Sequence, residues 1–238
     1  MTGGAGWLPE LLAAIIASVL AITLHEAAHG YAALALGDDT AKRLGRLSLN
    51  PLRHVDRVGT ILLPGFLLLA QLLTIGRVEF MFGWAKPVPV DVRFMRRPLQ
   101  AMMVVAAAGP AMNFFLAWCA GLLVHPVEAW GGFLSPDSLQ VLYRFIGLCI
   151  LANLVLGLFN LLPIPPLDGG RILAGLLPPS LALSYMRLER WGILIVLFAV
   201  FLLPRLVDGF DPVGWALRNV IGYAFGLVLL LSGNGSGG

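Results

Sequence analysis

A chain of 238 residues that is 58% hydrophobic, 12% charged and of mean hydropathy +0.86 cannot build the polar coat of a soluble globule, which carries about 25% charged residues. The class is integral membrane protein, and the length suits one compact bundle. The net charge of +3 comes with no basic run interleaved with aromatics. That excludes a nucleic-acid partner and fits the lysine and arginine excess of cytoplasmic loops.

Six apolar segments are candidates to meet a bilayer, which a helix crosses in about 17–25 residues. They span 8–36, 58–75, 99–124, 139–162, 188–203 and 213–231, and the second is broken by Pro64-Gly65. No basic residue precedes the apolar stretch 11–21, so the first segment reads as an uncleaved span rather than a signal peptide. Cys119 and Cys149 lie inside apolar runs and read as packing residues. The tail SGNGSGG, 232–238, has a linker composition and is expected to be disordered, leaving 1–231 as a single membrane-embedded domain. Between the second and third segments lies FGWAKPVPVDVRF, 82–94, whose alternation and prolines fit an edge strand or hairpin as well as a surface loop. As an edge strand, Lys86, Pro87, Val88 and Pro89 would offer a pairing line to an extended peptide.

The chemistry concentrates in His25-Glu26-Ala27-Ala28-His29. Histidines at i and i+4 share one helix face and can bind one zinc ion together, with the intervening glutamate as general base for water. Ionisable side chains within a membrane helix are costly and are functional by default. A catalytic zinc takes three protein ligands, and the candidate for the third is Asp168 in NLLPIPPLDGG, 160–170. Prolines at 163, 165 and 166 unwind the chain there, which a membrane tolerates where the backbone is buried in protein or lines a cavity. His54 reads as a hydrogen-bonded loop histidine and His125 as a helix-end residue.

HExxH in one membrane helix with NxxPxPxLDG after a later one resembles the site-2 protease family of intramembrane zinc metalloproteases. The second string is complete here as Asn160, Pro163, Pro165, Leu167, Asp168 and Gly169. Ala108-Gly109-Pro110 with Asn113, GWAKPVPV at 83–90 and NPLRHVDRVGT at 50–60 extend the likeness over roughly residues 20–175. One departure is Arg57, where the family pattern has proline. The resemblance implies one zinc per chain held by His25, His29 and Asp168, water activation by Glu26, and a role for Asn160 near substrate or oxyanion. It also implies transmembrane protein segments as substrates, within the bilayer of the cell membrane. With no PDZ- or CBS-like extension, the chain resembles the compact bacterial or archaeal type.

The ligands must meet at one depth, and both motifs end their segments, so segments one and four run in the same direction. The simplest arrangement that allows this has segment two enter and leave on one face, as a re-entrant hairpin turning near Pro64-Gly65. The loops 37–57, 76–98 and 163–187 with Arg190 then carry thirteen lysines and arginines, against three (Arg144, Arg205, Arg218) on the other side. This bias places the N-terminus outside and the site toward the cytoplasm. The expected fold is an all-α polytopic bundle of five to six transmembrane segments, one re-entrant, with a small β-hairpin near the site. A metal transporter would string polar residues across the bilayer, and an inert scaffold would lack Glu26 or a ligand; this sequence does neither.

Overall fold

The computed structural model describes residues 7–74, 76, 83, 85–207 and 210–235. The helices are α1 (Trp7–Ala35), α2 (Thr40–Arg43), α3 (Leu63–Thr74), α4 (Pro98–Leu122), α5 (Val124–Trp130), α6 (Pro136–Asn160), α7 (Asp168–Leu176), α8 (Pro179–Met186), α9 (Gly192–Leu197), α10 (Leu203–Leu206) and α11 (Pro212–Leu231). Among the described residues four helical stretches are long and apolar enough to cross a membrane: Pro9–Ala35, Arg57–Thr74, Pro98–Phe133 and Pro136–Asn160. These match four of the six apolar segments read from the sequence. The fifth, 188–203, is a helical path of changing pitch, 3-10 then α then π.

The core is made by α1, α4 and α6, with α11 against the C-terminal end of α4 and the middle of α6. Small residues let these helices approach: Ala17, Ala21, Ala33, Ala117 and Gly121 are all buried. Between membrane helices, where lipid is as apolar as leucine, such close contact supplies much of the association energy. Outward faces remain apolar and exposed, as at Leu12, Ile16, Phe66 and Leu73. Asn113 on α4 bonds Ala21 and His25 of α1, and His29 lies against Val105. As α1 advances from 21 to 29, α4 therefore recedes from 113 to 105, and the two helices are antiparallel.

That polarity brings the C-terminal end of α1 and the N-terminal end of α4 to one side, and the chain between them makes a one-ended excursion. It leaves through a π-helical stretch, Arg57–Leu62, that passes without interruption into α3. It is back by Lys86, whose N–H donates to the His54 carbonyl at 2.8 Å. Gly83 lies against Gly59 and Pro64, where a Cβ would overlap the Gly59 carbonyl oxygen. The excursion therefore does not turn at Pro64-Gly65 as expected. Pro64 lies in the first turn of α3, just after the wide π turn, where the helix accepts a residue without an N–H. The described residue nearest the far end is Gly76, with φ +70°. Arg57 occupies the first helical position after the Asp56 cap, a place that suits proline because its N–H has no helical partner anyway.

Two further expectations are corrected. No strand forms among the described residues, and 85–91 runs without regular structure into a short 3-10 turn at Val92–Phe94. Pro87 and Pro89 carry no N–H, and the Lys86 and Val88 N–H groups go to the His54 carbonyl and to Glu26, so the stretch 86–89 has no donor left for a ladder; residues 82 and 84 of the expected hairpin lie outside the described set. The tail is docked over its first residues: Ser232 is buried, its carbonyl accepts from His125 Nε2 at 2.6 Å, and Asn234 Nδ2 donates to the Gly121 carbonyl at 2.8 Å. Orphan carbonyls at helix ends give this glycine- and serine-rich segment its partners. Residues 236–238 lie outside the described set.

Candidate active site

The candidate site lies where α1, α4, the end of α6 and the start of α7 meet. His25 and His29, one turn apart on α1, present their Nε2 atoms 3.0 Å from each other. Asp168, the first residue of α7, places Oδ2 3.1 Å from His25 Nε2 and 3.3 Å from His29 Nε2. Two glycines make this approach possible. At Gly169 a Cβ would overlap the Leu161 carbonyl, so α7 can start directly against the end of α6. At Gly109 on α4 a Cβ would lie 2.5 Å from His29 Cε1 and Nε2 and 2.6 Å from His25 Cε1.

The protons can be placed from the neighbours. The Cys149 carbonyl accepts from Asn153 Nδ2 at 2.9 Å, which turns Asn153 Oδ1 toward Asn113. Asn113 Nδ2 donates to that oxygen at 2.9 Å and also faces the Ala21 carbonyl, which turns Asn113 Oδ1 toward His25 Nδ1 at 2.5 Å. His29 Nδ1 faces the Val105 carbonyl at 2.7 Å. Both Nδ1 atoms thus meet acceptors and must carry the proton, which leaves a lone pair on each Nε2. Two such lone pairs and a carboxylate oxygen converge within 3.3 Å. Asp168 Oδ2 is buried with no hydrogen-bond donor. A cation resolves this crowding, and two imidazoles with one carboxylate are a zinc donor set.

Glu26 lies between the two histidines in sequence, and its Oε2 accepts the Val88 N–H at 2.9 Å. The other sequence candidates fall as follows. Asn160 Nδ2 donates back to the Leu156 carbonyl within α6 at 3.0 Å. Lys86 N–H is bound to the His54 carbonyl, and the Arg46 guanidinium donates to the Lys86 carbonyl at 2.9 Å. His54 is buried and bonds the Ser48 carbonyl through Nε2 at 2.8 Å, away from the cluster. Sequence reasoning missed Asn153. A polar residue in the apolar run 139–162 was its only signal. The Asn113–Asn153 pair is fully buried or nearly so, as expected for a network that orients a ligand from behind. Replacing Asn113 by Leu is expected to weaken zinc binding about 10–100-fold, measured by competition with a chromophoric chelator. Unchanged affinity would show that His25 needs no such orientation.

A helical membrane bundle that buries a histidine–histidine–carboxylate cluster beside a glutamate defines a membrane metalloprotease of the zinc type. Residues 125–203 match the model of Peptidase family M50. The chain is 41% identical over 190 residues to YwhC of Bacillus subtilis (strain 168), a protein named as a zinc metalloprotease, covering 80% of each chain. It is 30% identical over 198 residues to Rip2 of Mycolicibacterium smegmatis, also so named, covering 81% of this chain and 63% of that one. Rip2 of Mycobacterium tuberculosis H37Rv is 29% identical over 225 residues, 92% of this chain and 73% of that one. No solved structure matches. The chain belongs to Peptidase family M50, the site-2 protease family, and is a zinc metalloprotease of multi-pass membrane type.

Proposed function

We propose that this protein cuts peptide bonds within transmembrane segments of other membrane proteins, using one zinc ion held by His25 Nε2, His29 Nε2 and Asp168 Oδ2. The observation that carries the reading is the convergence of those three atoms inside a membrane bundle, with Glu26 one residue from the first of them. Bound zinc would supply Lewis acidity and lower the pKa of water toward neutrality. The chain's own residues do the rest. Glu26 takes the proton from the attacking water and passes it to the leaving amine. Asn113 and the Val105 carbonyl keep both imidazoles in the tautomer that binds metal. Asn160 is proposed to lie near the substrate carbonyl.

Access from the lipid side is consistent with an apolar groove of about 370 Å³ between α1 and α6, lined by Ala14, Ser18, Ala21, Ile22, Val155 and Phe159. The α1 positions 14, 18, 21, 25 and 29 fall on one helical stripe, which leads from the groove to the histidines. The excess of basic residues on the side where α1 ends supports an N-terminus outside and a site facing the cytoplasm. The test is to purify the protein in detergent, measure bound zinc, and assay a panel of transmembrane substrates with wild type and Glu26→Gln. Zinc is expected in both, and kcat is expected to fall by about 10²–10⁴ in the variant. Zinc-free wild type, or cleavage that survives the substitution, would sink the mechanism.

A further inference from the structure

The segment 85–91 crosses α1 at the site, and its backbone is tied to the protein at three levels. The Lys86 N–H meets the His54 carbonyl at 2.8 Å, and Arg46 Nη2 holds the Lys86 carbonyl at 2.9 Å. At the other end the Asp91 N–H donates to Asp38 Oδ2 at 2.6 Å. Asp38 is 1% exposed, and its second oxygen caps the Thr40 N–H at 2.9 Å. Between these anchors the Val88 side chain is buried against Gly30, where a Cβ would lie 3.1 Å from Val88 Cγ1 and 2.9 Å from Leu47 Cδ1. The fit leaves the Val88 N–H directed at Glu26 Oε2, 2.9 Å away.

We propose that the main-chain N–H of Val88 is the positioning group for the general base, and that the segment 85–91 is the brace that holds it there. This rests on the proposed role of Glu26. A glutamate beside two histidine ligands has three side-chain torsions and an attraction to the same cation. Unheld, it can swing in as a further ligand and stop serving as a base. An N–H donor on Oε2 fixes the carboxylate's direction and leaves Oε1 for water. The prolines serve this arrangement. With Pro87 and Pro89 on either side, Val88 carries the one N–H between Lys86 and Val90. The neighbours therefore offer Glu26 no competing donor, and their fixed φ keeps the stretch extended. A segment whose donors at 86, 88 and 91 are all engaged inside the protein has little left with which to pair a substrate strand.

Two measurements test the proposal. The first is hydrogen–deuterium exchange of the purified protein, read on the peptide containing 86–91. Glu26→Ala is expected to expose one additional fast-exchanging amide there, and Glu26→Gln, which keeps an acceptor oxygen, to leave it protected. No gain in Glu26→Ala overturns the proposal, whether or not the protein cleaves anything. The second is kinetic. Val88→Pro, which removes the N–H, is expected to lower kcat about 10–100-fold with KM little changed and zinc retained. Val88→Ala, which keeps the N–H but loosens the fit against Gly30, is expected to lower kcat less than Val88→Pro does. If Val88→Pro raises KM and leaves kcat alone, the segment binds substrate and the brace is refuted. If Val88→Pro fails to fold, the exchange measurement alone decides. A wild type that binds zinc and cleaves nothing condemns the proposed function, and the exchange result still stands or falls by itself.

Discussion

Asp168→Ala is expected to weaken zinc binding by at least about 100-fold and to abolish cleavage, with the helical bundle intact. The size follows from what remains. Two neutral imidazoles on adjacent turns of α1 supply two donors and no charge, where the intact site adds an ionised oxygen within 3.3 Å of both. Even residues that only orient a ligand are worth about 10–100-fold in affinity, and Asp168 would be a ligand. The fold should survive because α7 begins by packing its glycines on the end of α6, a contact that the carboxylate does not make. Zinc content by mass spectrometry and helicity by circular dichroism read the two outcomes separately. Stoichiometric zinc in the folded variant would show that the third ligand lies elsewhere.

The site was legible because its chemistry is local or conspicuous. His25 and His29 are one turn apart, and any helix through them puts both rings on one face. Asp168 stood out as a charge in a proline-broken stretch after an apolar run. The direction of segments one and four followed from requiring these residues to meet, and the simplest arrangement that allowed it had segment two return where it started. In the structure the chain after this segment comes back beside its start, at the Lys86 N–H to His54 carbonyl bond. The turn is moved, because Pro64 is accommodated by a π stretch whose wider pitch no residue pattern announced. The hairpin at 82–94 failed for a related reason. Alternation is a statement about side-chain faces, whereas pairing needs donors, and the donors here are consumed by Glu26, Asp38 and the His54 carbonyl. The partners of Asn113 and Asn153 were hidden because they lie 40 to 92 residues apart in the chain. The docked tail was hidden because glycine and serine content reports backbone freedom, and says nothing of the helix-end carbonyls waiting for it.

Gly109→Ala carries the second large effect, from a single methyl group. The added Cβ would sit 2.5 Å from the edge of the His29 ring and 2.6 Å from that of His25, well inside contact distance, so something must move. The imidazoles cannot turn away freely. Each is held from behind, His25 by Asn113 Oδ1 and His29 by the Val105 carbonyl, and turning breaks the bond that keeps Nε2 aimed at the metal. The helices cannot easily part either, since α1 and α4 are joined by buried alanines and by Asn113. Overpacking of this kind costs about 1–3 kcal/mol, and here the strain falls on the ligands. Zinc affinity is expected to fall about 100-fold or more, with cleavage falling in step at limiting zinc. The control is Gly147→Ala on α6, where a Cβ meets nothing within 4 Å. The same change there should leave zinc and activity untouched and stabilise the helix by about 0.4–1 kcal/mol. If both variants hold zinc as the wild type does, the rings do not pack against Gly109 and the geometry of the cluster is wrong. If only Gly109→Ala loses it, the glycine in the AGP sequence is a metal-site requirement. It then acts through the room it leaves rather than through any atom it contributes.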